Sequence, residues 1–206
     1  RLLVAEVSDR EVKQQLEQEI FKIDSYTNLV LQYLRLESFH DDLVFEQVQV
    51  EDLVKEMIRK YALFFIQKGL TVNLHDLGKT IVTDKKWLLV VIEQILSNSL
   101  KYTKEGGLEI YMEGQELCIK DTGIGIKNSD VLRVFERGFS GYNGRLTQQS
   151  SGLGLYLSKK ISEELGHQIR IESEVGTGTT VRIKFSNKFP SPSPFSSILL
   201  LSQAPG

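Results

Sequence analysis

Residues 121–126, with the sequence Asp-Thr-Gly-Ile-Gly-Ile, constrain the fold of this chain more than any other stretch. They follow an apolar run, residues 117–119, that predicts a short buried strand. Asp121 therefore stands where a strand ends, and its carboxylate can accept a charge-assisted hydrogen bond from an exocyclic amine. Gly123 and Gly125 let the backbone turn tightly and approach a flat ligand closely. Taken alone, the pattern is equally typical of an ordinary hairpin or type II turn, so other stretches must decide.

Composition excludes several classes of protein. The chain has 206 residues and a net charge of −2, which gives no broad basic surface for nucleic acid. We expect its one cysteine, Cys118, to be a buried core residue rather than a nucleophile or ligand, because it lies within the apolar run. A single cysteine agrees with a reducing compartment, and no apolar run reaches the ~18 residues that cross a bilayer.

The N-terminal part of the chain predicts one long helix. Residues 11–38 lack Gly and Pro, and a heptad-like seam recurs at alternating spacings of four and three. The seam comprises Leu16, Ile20, Ile23, Thr27, Val30 and Leu34. One explanation is a core helix of the main domain, but length and spacing favour a helix of a dimeric bundle. The chain starts at Arg1 within a helical pattern, which suggests a fragment of a longer protein.

The rest of the chain alternates between strand and helix patterns. Strands are predicted at residues 44–50, 70–74, 80–84, 108–112, 116–120, 168–172 and 179–185, and helices at 51–67, 85–101, 128–135 and 151–165. Asp84 or Thr83 should cap the helix at 85–101. The polar segment 140–151 is predicted to be a mobile lid, and residues 187–206 a flexible tail.

Two helices carry residues suited to phosphate chemistry. Gln94, Asn98, Lys101 and Tyr102 fall at i, i+4, i+7 and i+8, so they share one helix face. This face suits a metal–phosphate site beside a ring that packs on a base, although a solvated face with a buried tyrosine is the simpler alternative. The Ser-Gly-Leu-Gly-Leu run at 151–155 opens another helix, where backbone amides can point at phosphate oxygens.

Four stretches stand in one order: the Asn98 helix, residues 121–126, Phe-Glu-Arg-Gly at 135–138, and the run at 151–155 with a later Gly-Thr-Gly-Thr-Thr. In this order the chain resembles, over roughly residues 44–185, the ATP-binding domain of sensor histidine kinases. These belong to the gyrase, heat-shock-ninety and MutL superfamily of ATPases. We expect an α+β two-layer sandwich, with helices covering a mixed, mainly antiparallel sheet. The expected domains are a remnant of a dimerisation and phosphotransfer bundle (1–40), a catalytic domain (43–186) and the tail.

The resemblance implies roles for individual residues. Asn98 would bind Mg²⁺, Lys101 would contact phosphate, and Arg137 would reach the γ-phosphate. Asp121 would accept from adenine N6, and Thr180 would close the pocket nearby. The full set of implied ATP contacts is Gln94, Asn98, Lys101, Tyr102, Asp121, Gly123, Gly125, Ile126, Arg137, Arg145, Ser151, Gly152, Leu153, Gly154, Leu155 and Thr180.

The chain departs from the family pattern in two ways. Many relatives have Asn where this chain has Gln94, which leaves the metal geometry there open. None of the three histidines, His40, His75 and His167, has the sequence context of the family's phosphoacceptor, and we expect each to be a surface or hinge residue. The acceptor helix is therefore expected ahead of Arg1.

The function implied by the resemblance is a protein-histidine kinase. It would transfer the γ-phosphoryl group of ATP to a histidine on that bundle helix, for relay to the receiver domain of a response regulator. The chain would be the cytoplasmic portion of a membrane-anchored bacterial homodimer. One alternative is an ATP-hydrolysing clamp, which needs a catalytic glutamate; Glu93 is adjacent to Gln94 but points to a different helix face. The other is a non-catalytic nucleotide-binding or dimerisation module, which the intact Asn98 and Asp121 disfavour.

Overall fold

Helix and strand bounds follow the sequence patterns closely. The computed structural model describes residues 9–36, 39, 43–140 and 151–186. The elements are α1 Arg10–Arg35, β1 Phe45–Gln49, α2 Val50–Gln67, β2 Thr71–His75, β3 Thr80–Asp84, α3 Lys85–Tyr102, β4 Gly107–Glu113, β5 Glu116–Asp121, α4 Asn128–Val131, α5 Gly154–Glu164, β6 Gln168–Glu174 and β7 Gly178–Lys184. The tail and residues 141–150 of the predicted lid lie outside the described residues.

The helix predicted at 128–135 is shorter than expected. Only the four residues of α4 are helical, and the chain then continues in tight turns. The amides of Arg133, Glu136 and Phe139 each donate to the carbonyl three residues earlier. This tighter winding replaces the i→i−4 ladder of an α-helix.

A five-stranded sheet forms one layer. Its strand order is β2-β4-β5-β7-β6, with β2 and β4 parallel and the other neighbours antiparallel. A separate antiparallel pair, β1 and β3, leads into α2 and α3. The predicted α+β class and mixed, mainly antiparallel sheet are confirmed.

The two faces of the sheet differ in character. Helices α2, α3 and α5 pack on one face around a core that includes Ile92, Ile110 and Ile119. The opposite face carries ion pairs, in which Arg182 contacts Glu113 and other carboxylates. Cys118 is fully buried, as predicted.

Helix α3 is fixed at both ends. At its start, Asp84 Oδ1 accepts from the Trp87 amide (2.9 Å) and Oδ2 from the Val44 amide (2.8 Å), so Asp84 is the predicted cap. At its end, the Tyr102 carbonyl accepts from the Ile124 amide at 3.2 Å. The end of α3 and the loop after β5 are therefore neighbours, although about twenty residues separate them in the sequence.

Helix α1 packs on the domain through one face and leaves most of its heptad seam exposed, with Ile20 and Val30 half-buried. Phe21 lies edge-on to Tyr61 at 5.1 Å between ring centroids, and Leu29 is buried. On the seam, Ile23 is 64% exposed and Leu34 60% exposed. The two explanations for this helix are therefore compatible, because they involve different faces of α1. None of the helices in the described part of the chain combines the length and the apolar character needed to cross a bilayer.

Candidate nucleotide site

The carboxylate of Asp121 is held by three hydrogen bonds at the end of β5. Its Oδ1 accepts from the backbone amides of Gly123 (2.9 Å) and Thr179 (3.2 Å). Its Oδ2 accepts from the hydroxyl of Ser99 on α3, at 3.0 Å. Burial raises the pKa of Asp121, since only 7% of the residue is exposed, and these three hydrogen bonds oppose the rise.

The loop after Asp121 packs against the β6–β7 turn too closely to admit a side chain. At Gly125, which has a φ of +70°, a Cβ atom would overlap the carbonyl of Glu174. The Gly176 amide donates to the Ile124 carbonyl at 3.0 Å, which joins the turn to the loop. The backbones of the loop and the turn approach so closely that the motif requires its glycines. This packing holds the Asp121 carboxylate in a fixed position.

The predicted face of α3 lies on one wall of a cavity. Gln94, Asn98, Lys101 and Tyr102 all line it, and the Lys101 ammonium lies 4.9 Å from the centroid of the Tyr102 ring. Gln94 also faces the start of α5, because a Cβ atom at Gly154 would lie 2.8 Å from its Oε1. The face therefore offers amide oxygens, an ammonium group and an aromatic ring to the same space.

The Phe-Glu-Arg-Gly and Ser-Gly-Leu-Gly segments meet at two glycines. The Gly138 amide donates to the Gly152 carbonyl at 3.0 Å. Gly152 has a φ of +66°, and a Cβ atom there would overlap the backbone of Gly138. Helix α5 then begins at Gly154, and its N-cap residue Leu153 has no polar side chain to occupy the amides of the first turn. Those amides can therefore bind an anion.

The cavity has a volume of about 830 Å³, within the range of small-molecule pockets. Most of the predicted contacts line it. They are Gln94, Asn98, Lys101, Tyr102, Asp121, Gly125, Ile126, Ser151, Gly152, Gly154 and Leu155. Gly123 contributes through its hydrogen bond to Asp121, and Arg145 lies outside the described residues.

Besides Gly123, three predicted contacts within the described residues do not line the cavity. Thr179 lines it in place of Thr180, because successive residues of β7 point to opposite faces of the sheet. The Arg137 guanidinium stacks 5.1 Å from the centroid of the Tyr33 ring on α1. Leu153 instead packs against the hydrophobic core.

Sequence reasoning missed two parts of the site. Ser99 follows Asn98, and a helical step of about 100° turns it from the shared face towards Asp121. Helix α1 supplies Phe21, Ser25 and Leu29 to the cavity wall. The signal for the second was present in the sequence, since Phe21, Ser25 and Leu29 lie four residues apart along a second face of the helix.

The expectation for His167 was wrong. Only 3% of His167 is exposed, and its Nε2 lies 3.0 Å from the hydroxyl of Thr83. Its Nδ1 accepts from the Ser186 amide at 3.3 Å, so the ring is neutral with its proton on Nε2. Burial lowers the pKa of His167 to about 4. His75 is exposed, as expected, and His40 lies outside the described residues.

The arrangement matches a known family. Residues 83–188 match the model of the histidine kinase-, DNA gyrase B-, and HSP90-like ATPases, which is about half of the chain. The chain belongs to this ATPase family. Residues 83–188 include α3, the Asp121 loop and the start of α5, which line much of the cavity, whereas α1 and α2, which also line it, lie outside this match.

Curated relatives of this ATPase domain are sensor kinases. The chain is 36% identical to the sensor histidine kinase YxdK of Bacillus subtilis (strain 168) over 194 residues, which are 90% of this chain and 59% of that protein. It is 37% identical to the sensor protein kinase GraS of Staphylococcus aureus (strain JH1) over 190 residues, 90% of this chain and 55% of that protein. The chain thus spans little more than half the length of these relatives.

Solved structures share the fold. The Acinetobacter baumannii histidine kinase AdeS superimposes with a TM-score of 0.66 at 20% identity, covering 88% of this chain and 87% of that one. Full-length ShkA, solved in complex with AMPPNP, gives 0.67 at 21% identity and covers 89% of this chain and 40% of that one. Each comparison covers more of this chain than residues 83–188, which match the ATPase model.

Proposed function

We propose that this chain contains the ATP-binding catalytic domain of a sensor histidine kinase, which transfers the γ-phosphoryl group of ATP to a histidine. The observation that supports this most directly is the cavity itself. Its lining includes the buried Asp121 carboxylate, the Asn98 amide, the Lys101 ammonium group and the start of α5 with its first-turn amides. We assign the Asp121 side to the adenine ring (the adenine end) and the side lined by the other groups to the triphosphate (the phosphate end).

Mg²⁺ would be held at the phosphate end. The amide oxygen of Asn98 is a hard donor of the kind that Mg²⁺ prefers, and the cavity leaves room for phosphate oxygens and water to complete the shell. When bound, the ion would neutralise charge on the phosphates. Lys101 and the first-turn amides of α5 would orient the triphosphate, and Arg137 would reach the γ-phosphate after leaving Tyr33.

The chemical step needs no nucleophile from the ATPase domain. A histidine nitrogen would attack the γ-phosphorus in line with the leaving oxygen, so that a P–N bond forms as the P–O bond to ADP breaks. Relay of the phosphoryl group to an aspartate of a response-regulator receiver domain would follow. In the whole protein, the exposed seam of α1 would pair with a second copy in a membrane-anchored homodimer.

Glu93 weighs against the ATP-hydrolysing clamp. Its Oε1 accepts from the Lys60 ammonium at 2.6 Å and from the Tyr61 hydroxyl at 3.1 Å. Both partners belong to α2, and Glu93 does not line the cavity, so its carboxylate is not placed to activate a water beside bound ATP. A non-catalytic module is disfavoured because Asp121 and Asn98 are both oriented into the cavity wall.

The test is phosphoryl transfer in trans. The chain is incubated with γ-labelled ATP and Mg²⁺, alone and with a helical-bundle fragment that carries the family's phosphoacceptor histidine. We expect acid-labile label on the fragment, none on a fragment with that histidine replaced by Gln, and none on the chain alone. Steady hydrolysis of ATP that leaves the added fragment unlabelled would favour the clamp. Failure to bind ATP would favour the non-catalytic module.

A further inference from the structure

Ser99 connects the two ends of the cavity. It follows Asn98 on α3, is almost fully buried, and donates its hydroxyl hydrogen to Oδ2 of Asp121 at 3.0 Å. An ionised carboxylate only accepts hydrogen bonds, so the direction of this bond is fixed. The same helical turn thus presents the Asn98 side chain to the phosphate end and holds the carboxylate of the adenine end.

The three donors leave one open position on the carboxylate. A carboxylate has about four acceptor positions, and Gly123 and Thr179 occupy the two on Oδ1. Ser99 occupies one on Oδ2, and the remaining position on that oxygen is open to a ligand. Two of the three donors are backbone amides. Ser99 is the one donor of the three that a side-chain substitution can remove without moving the loop.

We propose that Ser99 is a positioning residue for base selection: its hydroxyl aims the open position of Asp121 at the exocyclic amine of adenine. The inference rests on the proposed function, in which Asp121 binds the base. Guanine presents a carbonyl where adenine presents the amine, and two acceptors repel each other. A carboxylate held in one orientation therefore discriminates between the bases, whereas a carboxylate free to rotate discriminates less.

Ser99 also favours the ionised form of the carboxylate. Burial raises the pKa of Asp121, and the hydrogen bonds from Gly123, Ser99 and Thr179 oppose that rise. A protonated Asp121 would carry a hydrogen on the carboxyl group that has to accept a hydrogen bond from the adenine amine. As the pH falls, ATP affinity should decrease when Asp121 is protonated; we call this part of the pH profile the acid limb. Removing the Ser99 hydroxyl should therefore move the acid limb to higher pH.

Other charged groups share the cavity and set the background of any pH profile. They are Lys101 of α3, Lys127 and Asp130 after β5, Lys68 beyond α2, and Lys22 of α1. Lys120, beside Asp121, pairs with Glu109 at 3.5 Å. None of these groups is altered in the variants below, so each is present in every profile that is compared. A limb that shifts between wild type and variant is therefore set by Asp121.

The experiment measures calorimetric affinities for Mg-ATP and Mg-GTP between pH 5 and 8 for wild type, S99A and S99T. Ser162→Ala is the matched control, because Ser162 is also a buried helical serine and its hydroxyl has no partner within the described residues. We expect S99A to lose roughly ten-fold in ATP affinity, to discriminate less against GTP and to show the shifted acid limb. S99T keeps the hydroxyl and should restore all three properties, while S162A should match wild type.

Three outcomes would overturn the assignment. One is an S99A protein with wild-type affinity, base preference and acid limb. Another is an equal loss for ATP and GTP with an unmoved limb, which would make Ser99 merely structural. The third is a further loss of ATP affinity when S99A is added to Asp121→Asn, since Ser99 acts only through that carboxylate. Absence of ATP binding by the wild type would instead reject the proposed function, and this inference with it.

Discussion

The two ends of the cavity are built differently. At the adenine end, the Asp121 carboxylate is buried and bonded to two backbone amides, and loop and turn are in contact with no room for a Cβ atom at Gly125 or Gly178. At the phosphate end, the Lys101 ammonium lies over the ring of Tyr102, while the Arg137 guanidinium lies over the ring of Tyr33 and does not line the cavity. The backbone thus fixes the geometry of the adenine end, whereas the phosphate end depends on side chains that also contact aromatic rings.

The difference agrees with what each end is proposed to bind. Reading the edge of a base requires a hydrogen bond of fixed direction, so the acceptor has to be rigid before the ligand arrives. Attraction of a triphosphate depends on charge, which acts over a longer range and tolerates displacement of a flexible ammonium or guanidinium group. The adenine end should therefore be sensitive to small backbone changes, and the phosphate end to changes of charge and metal.

The largest effect is expected from Gly178→Ala, which introduces a methyl group into the closely packed adenine end. Gly178 has a φ of +127°, and a Cβ atom there would overlap the Asp121 carbonyl. We expect a loss of about 3–5 kcal/mol in the free energy of unfolding, measured by urea titration, together with loss of ATP binding. Gly176→Ala is the matched control in the same turn: its φ is +82° but nothing lies within 4 Å. It should cost only about 1 kcal/mol. Equal costs at the two positions would contradict the close-packing argument.

Acid should weaken the fold through a residue far from either end. Burial lowers the pKa of His167 to about 4, below its usual 6.5, so the unfolded chain binds a proton that the folded chain does not. Stability is therefore complete above about pH 6.5 and is lost as the pH falls towards 4, by roughly 3 kcal/mol in total. Urea titrations of wild type and His167→Gln between pH 4 and 8 check this, because Gln does not titrate. Parallel pH profiles would refute the assignment. In His167→Gln the fold no longer loses stability through this residue at low pH. Loss of ATP binding at low pH in this variant can therefore be assigned to Asp121.

Asp121→Asn should separate binding from stability. Asn can keep the acceptor towards the Gly123 and Thr179 amides and can donate to the Ser99 hydroxyl, but it presents an amide hydrogen to the adenine amine. We expect ATP affinity to fall by roughly 1.5–3 kcal/mol. Stability at neutral pH should be unchanged or higher, since a buried charge is removed. Calorimetry and thermal unfolding measure the two effects. Asp52→Asn, an exposed control, should change neither, and a large stability loss in Asp121→Asn would show that the carboxylate is structural.

Much of this architecture could be predicted from residue patterns, and the failures have local causes. Alternating and helical spacings located the strands and helices because their periods differ. Asp84 was one of two predicted caps, with Thr83, and the structure shows that Asp84 is the one that caps α3. Asp121 was found because a strand end followed by glycines is a local signal. Ser99 was missed because its partner lies 22 residues away, so no nearby sequence pattern marks the contact. His167 was misplaced for the same reason: its partner Thr83 lies 84 residues away.

The smallest effect is expected at the phosphate end, from Asn98→Ala. Asn98 lines the cavity but belongs to a helix whose other contacts hold without it, so the fold should not change. Because its proposed partner is Mg²⁺, the variant should lose about ten-fold (about 1.4 kcal/mol) in Mg-ATP affinity and nothing for adenosine, which carries no phosphate. Asn73→Ala, at an exposed position on β2, is the matched control. Loss of adenosine affinity in Asn98→Ala would mean that the two ends are not independent. In that case the rigidity of the adenine end would extend through Ser99 along α3, and charge alone would no longer explain how the phosphates are held.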